Sequence, residues 1–557
     1  LTHELRGVSL SANWMWPSRN KGEDARLYEA VKAVSEFAIS LGINIPTGKD
    51  SLSMTQKYPD GDLVIAPGTV IISAVAEVDD IRRTVTPALS PLKGTKIIHI
   101  DFSKNALKLG GSSFAQVLNI LGNEVPTVSD DAYFGRAFNA VQRLIKEKLV
   151  LAGHDISAGG LITALLEMTF PVPDTGMNID VTRRKEDLIT ILFSENPGVI
   201  LQVSDDRAVK NILAESNIDF INLGEVSSTR TLHIKSATGE NVLDIDALRD
   251  TWFLTSFLLD SKQRPAPHAE MRFKNYKQQR LEYAFPASFD GKYASFRIDP
   301  HRRTASGLRA AIIREKGVNG DREMAYTLYL AGFDVKDVHM TDLMTGREDL
   351  KDINLIVFVG GFSNSDVLGS AKGWAGAFLY NPKAKEALDS FYKRSDTLSL
   401  GVCNGCQLMM ELGLVYRDWK DHPKMHHNAS GKFESIFVNV TIPQNNSVML
   451  QSLAGSTLGV WVAHGEGRFD LPEDQRLYTI AARYTHEGYP GTPSGSTHST
   501  AALCSKDGRH LAIMPHIERS LFTWNWPYYP ADRKEKDEIS PWIEAFVNAR
   551  EWISKQI

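Results

Sequence analysis

Apolar and polar positions alternate with two different periods along this chain, and the changes of period mark its elements. Residues 7–16 (G-V-S-L-S-A-N-W-M-W) read as a strand entering a polar loop. Between Glu23 and Leu41, Leu27, Val31, Val34 and Ala38 recur at i, i+4, i+7 and i+11, which predicts a helix with one buried stripe. Residues 45–54 gather Gly48, Lys49, Asp50, Ser51 and Ser53 and read as a loop, whereas 70–78 is an uninterrupted β-rich run. Beyond Pro87 and Pro91 the pattern predicts a strand at 96–102, a helix at 114–121 behind Gly110-Gly111-Ser112-Ser113, a helix at 134–148 and a strand at 149–152. A helix carrying Leu161, Ala164, Leu165 and Met168 follows. Residues 261–305, with Pro265, Pro267 and Pro286 and little periodicity, read as a linker. From Leu308 onward, a strand at 310–314, a helix at 321–331 and strands at 355–359 and 398–402 alternate as in a doubly wound parallel sheet.

Length and composition narrow the function classes. A chain of 557 residues exceeds a single core. Its net charge of -5 gives no reason to expect a nucleic-acid surface. Three cysteines argue against a disulfide framework and for a reducing compartment, so the expected location is cytoplasmic. No apolar run is long enough to span a membrane and no signal peptide is evident. The start at Leu1, without an initiator Met, reads as a cut inside a longer protein.

Candidate chemistry concentrates in L-S-L-G-V-C-N-G-C-Q-L-M-M-E, residues 398–411. A strand-like run reaches Cys403 and passes at once into helix-forming residues, with Gly401 and Gly405 two positions either side. That is the layout of a nucleophile elbow. A thiol at a helix N-terminus is favoured as thiolate. A base is offered by Met514-Pro515-His516-Ile517-Glu518. In an extended segment His516 and Glu518 share a face, so a Cys403-His516-Glu518 triad can form. Two other readings remain: Cys403 and Cys406 as a redox C-x-x-C pair, or as inert buried thiols. In the first half, His154-Asp155-Ile156-Ser157-Ala158-Gly159-Gly160 combines a carboxylate, a hydroxyl and glycines before a helix. Those letters suit a magnesium-phosphate group as well as an empty N-cap.

The pattern G-x-C-x-G-x-Q followed by P-H-x-E resembles a class I glutamine amidotransferase. Ahead of it, S-L-S-A-N-W-M, G-E-D-A-R-L-Y-E-A-V, G-K-D-S-L-S-M, H-D-I-S-A-G-G-L and F-S-E-N-P-G stand in the order found in large phosphoribosylformylglycinamidine synthases. The resemblance covers nearly the whole chain. It implies an α/β and α+β architecture: an aminoimidazole-ribonucleotide-synthetase-like unit whose halves are residues 1–90 and 91–260, a linker at 261–305, and a doubly wound glutaminase domain at 306–557. It further implies Cys403, His516 and Glu518 as catalytic residues. Gly360 and Gly361, in Gly-Gly-Phe-Ser, and Asn404 would serve the oxyanion, with Gln407 and His464 near bound glutamine. Asp155 would be a magnesium ligand and Ser157 a nucleotide contact, for ATP or a structural ADP.

The implied reaction is glutamine- and ATP-dependent amidation of formylglycinamide ribonucleotide, with no nucleic-acid or membrane partner. The family's metal-ligating E-A-L-T-N segment is absent, so the expected partner is a missing N-terminal portion of the same enzyme. Departures near the glutaminase site are Asn364-Ser365 in the Gly-Gly loop, Thr492-Pro493-Ser494, and Ile517 in place of Pro. The competing implications are a catalytically silent nucleotide-binding scaffold and a stand-alone glutaminase.

Overall fold

The unbroken apolar run at 355–358 is what a strand covered on both faces requires, and the run at 398–402 is broken only by Ser399, whose buried hydroxyl is met by Tyr392 and His510. In the computed structural model, which describes residues 1–557, both runs lie inside a nine-stranded sheet. The chain divides into two units, Leu1–Phe253 and Leu254–Ile557, and this sheet forms the second. Its strand order is Asp334–His339, Arg309–Arg314, Leu355–Phe358, Leu398–Val402, His510–Ile513, Thr500–Cys504, Thr479–Tyr484, Glu434–Thr441 and Thr457–His464.

The first five strands are mutually parallel, as the alternation of strands and helices predicts. The remaining four are antiparallel, so the sheet is mixed rather than wholly doubly wound. The cause is connection length. Thr500–Cys504 and His510–Ile513 are joined by residues 505–509 alone, too few for a crossover helix, so they can pair only antiparallel, and Glu434–Thr441 pairs antiparallel with Thr457–His464 in full register. Chain order reverses around the strand Arg309–Arg314, and ligands of such sheets bind beyond the carboxyl ends of the strands near that point. Helices Asp321–Ala331 and Ile543–Ser554 pack together beside the sheet.

Residues 261–305 do not behave as a linker. They carry the helix Ala266–Asn275, and Ala284 bridges to Thr457. Arg264 and Arg272 reach the buried carboxylate of Glu434 at 2.9 and 3.4 Å. The prolines that suggested a linker include Pro265, which precedes a helix start where a missing N–H costs nothing. The basic side chains have a buried acid to answer.

The first unit holds a seven-stranded sheet ordered Gly239–Asp244, Thr231–Ser236, Gly176–Asp180, Ile221–Ser227, Lys96–Asp101, Gly198–Val203 and Val150–Asp155. All pairings but one are antiparallel, which makes this half α+β. A separate three-stranded sheet is formed by Asn44–Ser51, Val8–Met15 and Thr69–Ala76. Residues 45–51, read from sequence as loop, are therefore mostly strand. They pair in parallel with Val8–Met15, and Gly48 lies so close that a Cβ would sit 2.0 Å from the Ala12 carbonyl oxygen. Composition alone concealed a strand whose side chains stay largely exposed.

Candidate active site

At the carboxyl end of Leu398–Val402 the chain turns at Cys403 with φ 51° and ψ -106°, and the helix Asn404–Glu411 begins at the next residue. A non-glycine residue rarely takes positive φ, and such strain persists only where neighbours enforce it. Here the enforcement is visible. A Cβ on Gly405 would lie 1.9 Å from the Phe358 carbonyl oxygen, and one on Gly401 would lie 2.5 Å from the Gly405 oxygen. The backbone on both sides of the cysteine is thus packed without room for side chains. Cys403 N–H donates to Ile513 O at 3.0 Å, which fixes the turn to the adjoining strand. Its Sγ lies 3.5 Å from Ala463 O, and the residue is 5% exposed.

His516 stands beyond the end of the adjoining strand, His510–Ile513, and its N–H donates to Trp461 O at 2.8 Å. Its Nδ1 meets Glu518 Oε1 at 2.7 Å, with both residues buried. The segment is not extended as the sequence reading expected. Ile517 is in the αR region and Glu518 opens a 3-10 turn, so the carboxylate arrives by a turn rather than by strand alternation. Burial alone would lower the basicity of His516, but the Glu518 carboxylate and the Cys403 thiol raise it to about 9. A Cβ on Gly360 would lie 2.7 Å from His516 Cε1 and 3.4 Å from Cys403 Cβ, so the Gly360 backbone touches both.

The Gly360-Gly361 loop is held from outside. Asn319 and Gly320 N–H both donate to Gly360 O, at 3.0 and 3.1 Å, and Phe362 N–H donates to Gly317 O at 2.9 Å. These bonds leave the N–H of Gly361 without a protein acceptor, and the same holds for the N–H of Asn404 at the helix start. The Asn404 side chain accepts from Ser363 N–H and donates to Gln407 Oε1, while Gln407 Nε2 donates to Glu466 O. Asn404 and Gln407 therefore tie three loops together around Cys403.

His464, the second buried histidine near Cys403, has no carboxylate partner. Its Nδ1 faces Asn428 Oδ1 at 3.1 Å, and burial, helped by His516, lowers it to about 3. Asn428 carries no sequence signal in H-H-N-A-S, and its part in the site emerges only from the fold. All three cysteines are free thiols. Burial pushes Cys406 well above the usual thiol range and Cys504 up to about 12, so neither is poised as a nucleophile.

The expected phosphate cradle of the first unit is filled from within. Both Ser113 N–H, behind Gly110-Gly111, and Gly159 N–H donate to Glu195 Oε1 at 2.8 Å. An internal carboxylate thus holds the donors that the glycine-rich turns offered to an anion. Asp155, at the end of Val150–Asp155, is 74% exposed at its side chain, and Ser157 is exposed. No group of three or more His, Cys, Asp and Glu gathers around a metal-sized space. Asp155 fits only the sparse mode in which magnesium keeps several waters and takes one or two carboxylates plus phosphate oxygens.

Residues 2–77 match the FGAR-AT PurM_N-like domain, residues 93–235 the C-terminal domain of AIR synthase related proteins, and residues 307–553 the CobB/CobQ-like glutamine amidotransferase domain. Over 99% of its length the chain is 42% identical to the Arabidopsis thaliana protein named "Probable phosphoribosylformylglycinamidine synthase, chloroplastic/mitochondrial", of which it covers 40%. Over 98% it is 39% identical to the phosphoribosylformylglycinamidine synthase of Dictyostelium discoideum, of which it covers 44%. The chain thus spans less than half the length of these relatives. The solved structure of PurLQS from Thermotoga maritima is 22% identical, covering 45% of this chain and 98% of that one at a TM-score of 0.34.

Proposed function

We propose, from the premise that this chain belongs to the phosphoribosylformylglycinamidine synthase family, that residues 306–557 hydrolyse glutamine through Cys403 and that the chain serves glutamine-dependent amidation of formylglycinamide ribonucleotide. The observation that carries the reading is the convergence of Cys403, strained at the start of a helix, with the His516–Glu518 pair across one glycine.

In this reading the Cys403 thiolate attacks the side-chain amide carbon of glutamine, and the carbonyl oxygen becomes an oxyanion. The unused N–H groups of Gly361 and Asn404 are suited to receive it. His516, positively charged below pH about 9, gives its proton to the leaving nitrogen as the C–N bond breaks, which releases ammonia and leaves a thioester. The now neutral imidazole takes a proton from water, hydroxide adds to the thioester, and glutamate leaves with Cys403 restored. Glu518 holds the imidazole in one orientation and stabilises its charge. The test is glutamate release from glutamine by the intact chain. Hydrolysis that survives Cys403→Ala would overturn the reading.

The synthetase chemistry is proposed on the family alone. In the relatives, chains more than twice as long carry that name. ATP with magnesium would be met by Asp155 and Ser157, with the cation neutralising phosphate charge when bound. Exposure of Asp155 supports this, while the occupation of Gly159 N–H by Glu195 limits the donors available. Titration of the chain with magnesium and ATP, compared with Asp155→Ala, decides it. Equal affinity in both would remove Asp155 from the site. No helix is long and apolar enough to cross a membrane, and a cytoplasmic location remains the proposal.

A further inference from the structure

The turn that carries Glu518 is held on two sides. On one, Ser520 Oγ donates to His516 O at 3.2 Å and accepts Trp461 N–H at 3.3 Å, which fixes the turn to the strand Thr457–His464. On the other stands Arg519, whose guanidinium reaches back 200 residues along the chain. Its Nε donates at 2.9 Å to Glu323 Oε1, in the first turn of the helix Asp321–Ala331, and its Nη2 donates at 3.0 Å to Asn319 Oδ1, just ahead of that helix. The same Nε lies 3.9 Å from Glu518 Oε1. Glu518 has few other supports, since Oε1 is shared with His516 and Oε2 is buried without a hydrogen-bond partner. A planar guanidinium presents its donors as a rigid fork and can hold two acceptors at fixed angles, which an ammonium cannot.

Asn319 is the far end of this fork, and its backbone shapes the glycine loop. The N–H groups of Asn319 and Gly320 both donate to Gly360 O, and Val318 bridges to Gly361. The fit is close: a Cβ on Gly361 would lie 2.3 Å from Val318 Cα and 2.7 Å from Asn319 N. A shift of residues 317–320 therefore moves the Gly361 N–H with it. His516 meets the same loop at Gly360, where a Cβ would lie 2.7 Å from its Cε1. The loop is gripped at two places, and Arg519 ties the two grips together. The Arg519 side chain is 30% exposed, and an ion pair so open to water adds little stability. What the arrangement supplies is geometry.

We infer that Arg519 is a positioning residue of the glutamine reaction: by tying Glu323 and Asn319 to the turn that bears Glu518, it keeps the Gly361 N–H in register with Cys403 and His516. This deepens the glutaminase reading and rests on it. Arg519 acts through Asn319 and the Glu518 turn, not on a reacting atom. The contact it sets is the one to the oxyanion, which exists in the transition state and not in bound glutamine, so its loss falls on kcat and spares KM.

The test compares two reactions of Cys403 in the intact chain, glutamate release from glutamine and alkylation by iodoacetamide. In the second the thiolate displaces iodide at a methylene carbon, so no oxyanion forms and the Gly361 N–H has nothing to stabilise. Arg519→Gln should lower kcat for glutamine on the order of a hundredfold, the cost of misplacing a group by about 1 Å. KM and the rate of Cys403 alkylation, read by peptide mapping, should stay at their wild-type values. Arg519→Lys keeps a charge beside Glu518 but cannot span both acceptors, so it should share the defect. Full turnover in Arg519→Lys would show that charge alone suffices and overturn the inference. Parallel losses of alkylation and turnover would place the damage in the Cys403–His516 pair or in the fold, and a raised KM at unchanged kcat would place Arg519 in substrate binding; either result overturns it as well. Should the Arg519 variants not fold, Asn319→Ala decides, because it removes the other end of the fork and keeps the backbone bond to Gly360. Its kcat should fall by less but with the same sparing of KM and alkylation, and unchanged turnover sinks the proposal. Failure of the wild-type chain to hydrolyse glutamine would sink the function itself, whereas an active wild type with an equally active Arg519→Gln sinks only this assignment.

Discussion

Cys403, His516 and Glu518 are all buried, and within one small volume His516 answers both the thiol and the carboxylate. Cys406, three residues along the same helix, lacks that answer, and burial keeps it a thiol. An electrophilic glutamine mimic should therefore label Cys403 and spare Cys406 and Cys504, as peptide mapping would reveal; first labelling at Cys406 would displace the nucleophile. The base is distinguished in the same way. His516→Ala should lower kcat by about three orders of magnitude or more, because the proton shuttle is lost. Glu518→Gln should be milder, since it removes orientation and charge stabilisation but not the transfer. Steady-state kinetics on both variants would check the order, and a Glu518→Gln defect larger than that of His516→Ala would require a different base.

At the scale of elements, the glycines around the elbow are the constraint that most directly shapes the site. Gly405→Ala would place a Cβ 1.9 Å from a backbone oxygen of the neighbouring strand end, an atom that cannot swing aside. The expected cost is about 3 kcal/mol, the upper end for overpacking, read as a lowered denaturant midpoint. A midpoint within error of wild type would mean that helix and strand separate more easily than this packing implies. These glycines were legible in the sequence because the elbow motif is short and local. The His516–Glu518 pair was legible by spacing, although the turn through Ile517 was not, since an i, i+2 relation is compatible with either geometry. Glu195 was invisible. Its carboxylate sits 82 residues from one donor and 36 from the other, and no local pattern announces that an internal acid takes an anion's place. Asn428 was hidden likewise, 36 residues from the histidine it orients. The antiparallel half of the large sheet escaped notice because buried strands read alike whichever way they pair.

The whole molecule carries histidines displaced in opposite directions, and together they set how its stability depends on pH. Burial lowers His464 to about 3 and holds His510 well below its usual value, both in the second unit; in the first unit it lowers His99 to about 4. As pH falls below 6.5 the unfolded chain binds protons at these positions that the folded chain refuses, so stability is lost on the acid side. Each such group contributes a slope of about 1.4 kcal/mol per pH unit until its depressed value is reached. His516 works the other way. Raised to about 9, it holds a proton that the unfolded chain releases above 6.5, so its stabilisation is complete below 6.5 and disappears as pH rises through about 9. The second unit should therefore be most stable near pH 6.5 and decline on both sides. Thermal unfolding followed between about pH 5 and pH 9 would trace the curve. His516→Gln should flatten the alkaline limb, because no folded-state proton remains to be lost, and His464→Gln should shallow the acid limb while leaving the alkaline one in place. An alkaline limb that persists unchanged in His516→Gln would show that the Glu518 carboxylate does not hold a charged imidazole, and with that the proton needed for ammonia release at neutral pH would have to come from elsewhere.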